Sequence, residues 1–243
     1  MEKRHLPNAN IIALICLAAL LIGLVAPGVA RAGAPADRIS ESVRVLREMS
    51  EQSDVEAMAR LLKNAKGIAV FPSVLKAGIM IGGRYGQGLV LRRDPEKGEW
   101  YGPDFVEIKG VSYGPQFGFQ STALVLVIAN EKGMEGFTGD KVTLGGDLAV
   151  AVGPLGRQAG AATDVDLKAS IYSYSMSKGI FAGASLEGAV IRPDKPANEL
   201  YWKSALRPDE ILARKTTDPR VQPLIKEIDH ILLKLSGGAD LKL

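Results

Sequence analysis

Apolar positions along the chain change their period twice. Between residues 36 and 50, Ile39, Val43, Leu46 and Met49 recur at three- and four-residue intervals, with Arg38, Arg44 and Arg47 mostly off that stripe. This spacing predicts an amphipathic helix. A second helix is predicted after Ser53, with Val55, Met58, Leu61 and Leu62 as its apolar side and Gly67 at its end. "IAVFP" then reads as a short strand stopped by Pro72. From Gly78 to Asp194 the pattern becomes strand-like, and in "DVDLKASIY" apolar and polar positions alternate cleanly. "EKGMEGFTGD" breaks the strands with a short helical turn. Helical spacing returns in "NELYWKSAL", "PDEILARK" and, most strongly, "DPRVQPLIKEIDHILLKLSGG", where Val221, Leu224, Ile228, Ile231 and Leu235 form a stripe closed by Gly237.

The pattern divides the chain into N-terminal helices over 36–64, a β core over 66–194 and C-terminal helices over 198–236. Glycine is frequent in the strand region, where it marks bulges, bends or close backbone approach. The predicted class is therefore α+β, with a curved, mostly antiparallel, glycine-rich sheet or barrel-like core. Segments 78–94 and 179–194 also resemble each other, Gly78 matching Gly179, Gly82 Gly183, Gly88 Gly188 and Arg92 Arg192. Similar structural roles are expected for them.

Residues 1–32 stand apart. Lys3 and Arg4 precede the apolar run 11–25, Pro27 and Gly28 break it, and "ARA" at 30–32 fits a small-residue cleavage site. This is the layout of a secretory signal peptide cleaved near Ala32, and it predicts an exported, periplasmic or envelope-associated protein. The run is short for a membrane span. Cys16, the one cysteine, lies inside it. The mature chain then has no thiol, and disulfides, thiol catalysis and cysteine-held metals are excluded. Without the leader, Lys plus Arg falls from 30 to 27 and Asp plus Glu from 27 to 26. A net charge of +1 follows from those counts, which gives no support to nucleic-acid binding.

The catalytic inventory is thin. His230 is the one histidine after the leader and adjoins an apolar stripe; a partly buried structural role is expected. "GASLEG" lacks the glycine that a nucleophile elbow needs two residues after its serine. "GGRYGQG" lacks dinucleotide-loop spacing. Asp164 and Asp166 share a strand face, where two solvated carboxylates ordinarily hold no metal. No cofactor and no enzymatic activity are expected. The remaining puzzle is Glu187, a single acid within the apolar stretch "GIFAGASLEGAVIRPD". A buried carboxylate needs a partner. Pairing with a cation such as Arg84, Arg92, Arg157, Lys168 or Lys178 on a neighbouring strand is expected, a ligand contact being the alternative.

The stretch "YSYSMSKGIFAGASLEGAVI" resembles the signature of the SYLF domain, a lipid-binding module that occurs beside SH3 or FYVE domains in eukaryotic endocytic proteins. "LLKNAKGIAVFP", "KAGIMIGGRYGQGLVLRR" and "VAVGPLGRQAGAATD" agree with it in order, so the resemblance spans about residues 50–235. It implies binding to anionic phospholipid, with an amphipathic N-terminal helix helping to engage the membrane. Candidate lipid-contacting residues are Arg38, Arg44, Arg47, Arg84, Lys168 and Lys178, with Glu187 as the structural carboxylate. Some eukaryotic members also bind actin; the signal peptide and the missing SH3 or FYVE partner argue against carrying that activity over. A protein-binding envelope scaffold is the alternative function, and a hydrolase a weaker one.

Overall fold

In the computed structural model the chain divides at Gly33, and Ala34–Leu243 forms the second of two units. The described residues are 34–52, 55–153, 169–177 and 179–237, all in the second unit, with side chains omitted at 78–81, 112–119, 183 and 236–237. The leader expected over 1–32, the "DVDLK" alternation, Arg157, Lys168 and Lys178 lie outside them.

Helix α1 spans Pro35–Ser50 and opens on a proline, whose fixed φ suits the first helical turn. Helix α2 spans Val55–Asn64. Its last turn is closed by Arg93, whose Nη1 donates to the Leu62 and Lys63 carbonyls at 2.7 and 3.2 Å. Two long strands follow, β1 (Gly67–Asp94) and β2 (Glu99–Ile128). They pair antiparallel from Gly67↔Ile128 to Asp94↔Glu99 and form one hairpin.

A straight strand of 28 residues would run about 90 Å, roughly twice the width of a domain of this size. The hairpin therefore curls. Its register shifts between Phe71 and Val74, between Ile79 and Ile81, and between Val90 and Arg92. The two halves of β1 cross where glycine removes the side chain. A Cβ on Gly86 would stand 2.9 Å from the Ser73 carbonyl oxygen and 2.8 Å from Val74, and one on Gly88 would enter the Val70 carbonyl and the Phe71 ring. The expected stop at Pro72 is corrected here. The strand runs through the proline because the shift beside it absorbs the missing N–H.

The free edge of β2 carries two further pairings. Its Val106–Lys109 segment pairs with β7 (Val190–Pro193), and its Ala123–Ile128 segment with β5 (Ile171–Ser177). The short strand β3 (Val142–Thr143) joins β7, β4 (Val150–Val152) runs parallel to β5, and β6 (Ile180–Gly183) returns antiparallel beside β5. Among the described residues the sheet thus has seven strands, mostly antiparallel and curled, and the class is α+β as predicted. Between β2 and β3 lie a one-turn helix α3 (Glu131–Glu135) and a 3-10 turn. The chain ends in α4 (Lys195–Trp202), α5 (Pro208–Leu212) and α6 (Gln222–Gly237).

Two apolar cores result. Outside the curl, α1, α2 and α6 cover Ile68, Val70, Leu89, Leu91, Val125 and Val127. Inside it, Phe71, Val74, Val90 and Leu126 meet Met134, Phe137, Leu186 and Leu212. The likeness of 78–94 to 179–194 does not extend to structure. The first is unbroken strand, whereas the second is β6, a turn at Glu187–Gly188 and β7. Gly188 has φ +75° in that turn, a conformation a strand position such as Gly88 does not need.

Candidate functional site

The expected basic face of α1 is largely neutralised. Arg44 is bound by Glu41 at 2.6 Å and Glu48 at 2.7 Å, and Arg47 reaches Glu227 of α6 at 2.8 Å. Arg38 is corrected from a surface cation to a core one. It is 4 % exposed, and its Nη2 donates to Asp194 Oδ2 at 2.6 Å. Arg38 lies one helical repeat before Ser42, Val45, Leu46 and Met49, which are all buried, so it belongs to the stripe that docks. The helix packs on α6 and β1, with Ile39, Leu46 and Met49 buried.

Glu187 is also corrected. It sits exposed in the β6–β7 turn, and among the described residues no cation pairs with it. The run of apolar residues around it is interrupted by a turn, so its carboxylate reaches water and needs no partner. Glu187→Gln should change unfolding free energy by no more than about 0.5 kcal/mol. A loss of several kcal/mol in denaturant titration would restore a structural role. His230, expected partly buried, is exposed on α6 with Nδ1 3.9 Å from Glu227, because it falls beside the stripe formed by Ile228 and Ile231 rather than on it.

The carboxylates that hold the fold are Asp194 and Asp104. Asp194 accepts from Arg38, from Gln87 Nε2 at 3.3 Å and from the Ala197 N–H at 3.2 Å, which caps α4. Asp104 is fully buried, and its Oδ1 accepts from Asn198 Nδ2 at 2.6 Å while Oδ2 has no partner. Burial, with a smaller contribution from the charge of Asp194, pushes its pKa up to about 7, against the hydrogen bond from Asn198. Arg38 stacks 5.7 Å above Phe105, tying α1 to the same junction.

Arg84 is the expected lipid residue whose surroundings are unusual. It is 9 % exposed and lies on the inner face of the curl. Nη1 donates to the Ser185 carbonyl at 3.2 Å, and Nε is buried without a partner. Among the described residues no carboxylate forms an ion pair with it. Its electrostatic neighbour is Lys76, another cation, whose pKa burial and the Arg84 charge pull down. Burial likewise lowers the Arg84 pKa. Lys76 was not among the expected site residues, yet the sequence carries its sign. Residues 71–93 hold Lys76, Arg84, Arg92 and Arg93 and no acid. Arg92 and Arg93 are used structurally, donating to the carbonyls of Leu212 and of Leu62 and Lys63 and lying over Tyr101 and Trp100.

Large apolar side chains are exposed along the middle of the hairpin and on β6. Leu75, next to Lys76, is 49 % exposed, Val111, opposite Gly83, 54 %, and Ile180, at the head of β6, 70 %. Among the described residues no helix is long and apolar enough to cross a membrane, and no group of three or more His, Cys, Asp or Glu could hold a metal ion.

Residues 109–231 match the family model described as Ysc84, Las17-binding protein actin regulator. The chain is 35 % identical over 201 residues to SH3 domain-containing YSC84-like protein 1 of Bos taurus, covering 80 % of this chain and 58 % of that protein. The human protein of the same name is 35 % identical over 185 residues, covering 74 % and 54 %. Protein YSC84 of Saccharomyces cerevisiae is 34 % identical over 173 residues, covering 70 % and 36 %. The chain spans about half the length of the first two relatives.

Proposed function

Since the chain belongs to the Ysc84 family, whose domain is the SYLF module, we propose that it is an exported, non-enzymatic phospholipid-binding protein of the cell envelope. The observation that carries the reading is the exposure of three large apolar side chains, Leu75 and Val111 on the middle of the β1–β2 hairpin and Ile180 at the head of β6, in a sheet whose hairpin also carries the cations Lys76 and Arg84. Apolar side chains in water are a cost that insertion among acyl chains removes, and each buried Leu or Ile contributes about 1.5–3 kcal/mol. Cations on the same hairpin favour an anionic headgroup layer by about 1 kcal/mol each. The membrane-facing element in this reading is the hairpin rather than α1, whose arginines already have carboxylate partners.

Vesicle co-sedimentation tests it. The purified protein should pellet with phosphatidylglycerol or cardiolipin vesicles at low salt. Leu75→Asp with Ile180→Asp should weaken binding at least about tenfold, since the lost burial exceeds 1.4 kcal/mol. Arg44→Gln with Arg47→Gln should bind as the parent does. The matched family's description names protein partners, Las17 and actin. A folded protein that pellets with none of these vesicles would replace the lipid reading with that of a protein-binding scaffold.

A further inference from the structure

A buried guanidinium normally spends its donors on a carboxylate or on several carbonyls, because desolvating the charge is costly unless it is paired. Arg84 departs from this rule. One carbonyl, that of Ser185, accepts from Nη1, and Nε is buried with nothing to accept its proton. The nearby charge is a second cation, Lys76, whose pKa burial and the Arg84 charge lower, while burial lowers that of Arg84. The contrast with Arg38 is instructive, since that equally buried arginine has Asp194 at 2.6 Å. It also contrasts with Arg93, which is held by two carbonyls and a ring; both of those arginines share the unpartnered buried Nε, so what sets Arg84 apart is that a single carbonyl is its one acceptor.

The placement adds to the argument. Arg84 lies six residues before Val90 on β1, and Lys76 two residues after Val74. Val90 and Val74 belong to the inner core, and Ser185 precedes Leu186 of that core. The two cations therefore stand at the end of an apolar interior, where the local dielectric strengthens their pull on an anion. The Ser185 carbonyl holds the guanidinium by one nitrogen. A guanidinium fork beside a point charge suits a tetrahedral oxyanion, which takes two parallel N–H bonds from arginine and a third from lysine.

We propose that Lys76 and Arg84 form a discrete, saturable site for a phosphate group, one oxyanion per chain. The inference rests on the lipid reading only for the source of that phosphate: a phospholipid headgroup, or a free phosphate or small phosphoester. The site itself can hold or fail independently of membrane contact.

Thermal unfolding and calorimetric titration of the purified protein test it, with inorganic phosphate and glycerol 3-phosphate as probes and chloride at matched ionic strength as control. Saturable binding and a rise in Tm with phosphate but not with chloride are expected. Arg84→Gln should weaken phosphate binding roughly ten- to a hundredfold, the range for a charge-assisted hydrogen bond, and Lys76→Gln about tenfold. In phosphate-free buffer Arg84→Gln should melt no lower than the parent, because an unpaired buried charge is removed. If that variant fails to fold, Arg84→Lys and Lys76→Gln carry the test, both retaining the fold with weakened phosphate binding. A parent protein that binds neither probe overturns the site whatever vesicles show, and so do variants that bind as tightly as the parent. Phosphate binding lost in the variants without any vesicle binding supports the site and overturns the lipid reading alone. Vesicle binding left intact in Arg84→Gln, with phosphate binding lost, supports a free phosphate or phosphoester as the source.

Discussion

Asp194→Ala is expected to cost about 3–5 kcal/mol of folding free energy, the penalty for leaving one half of a buried ion pair. For a domain of this size that corresponds to a fall in Tm of roughly 6–20 °C. Asp194 is 8 % exposed and its removal strands Arg38, whose Nε and Nη1 already lack partners. It also uncaps α4, by removing the acceptor of the Ala197 N–H, which costs about 1 kcal/mol. The pair is what brings α1 to the start of α4, 156 residues apart in sequence. A double-mutant cycle with Arg38→Met separates the pair from the cap. If the pair is the unit, the double variant should lose clearly less than the sum of the single ones, with a coupling of about 2 kcal/mol or more. Additive losses in chemical denaturation would mean that Arg38 and Asp194 stabilise the fold separately.

Arg38 also shows what the sequence could and could not convey. Helical periodicity located α1 within one residue at its start, because the Ile39–Leu46–Met49 stripe is dense. The same periodicity puts position 38 on the docking side, yet its charge argued for the surface. The deciding partner, Asp194, was invisible because nothing local links the two segments. The glycine content rightly indicated a curved sheet, since only missing side chains let the halves of β1 cross at Gly86 and Gly88. That β1 is a single strand was hidden by Pro72, because a register shift can absorb a proline that would end a regular ladder. Glu187 was misplaced for the opposite reason. Small apolar residues on either side mimic a buried strand, but Gly188 at φ +75° turns the chain there. Of the site proposed here, Arg84 was legible as a cation in a glycine-rich strand. That no carboxylate among the described residues pairs with it was not, because that depends on how the curl and the 183–189 segment meet.

Asp104 should make stability depend on pH in the direction opposite to most acids. Its folded pKa of about 7 stands above the ordinary value of 3.8. Between those two values the folded chain keeps a proton that the unfolded chain has released. Stability from this group is therefore full below about pH 4, falls as pH rises, and levels off above about pH 7. A gap of that size corresponds to a change on the order of 4 kcal/mol. The physical source is burial between β2 and α4, where Asn198 satisfies Oδ1 and nothing satisfies Oδ2. The protonated acid can be held there with little electrostatic cost, whereas the anion must be held without water. Carboxylates such as Asp218, whose pKa Arg220 and Tyr201 lower, work against this trend in the whole protein. The informative quantity is thus the difference between the parent and Asp104→Asn. Asn cannot ionise, so its unfolding free energy relative to the parent should rise by a few kcal/mol from pH 4 to pH 8, whatever its offset at pH 4. Parallel stability curves for the two proteins across that range, measured by urea titration, would show that Asp104 does not exchange its proton there. A widening gap in favour of Asn would identify the β2–α4 junction as the place where rising pH loosens the fold.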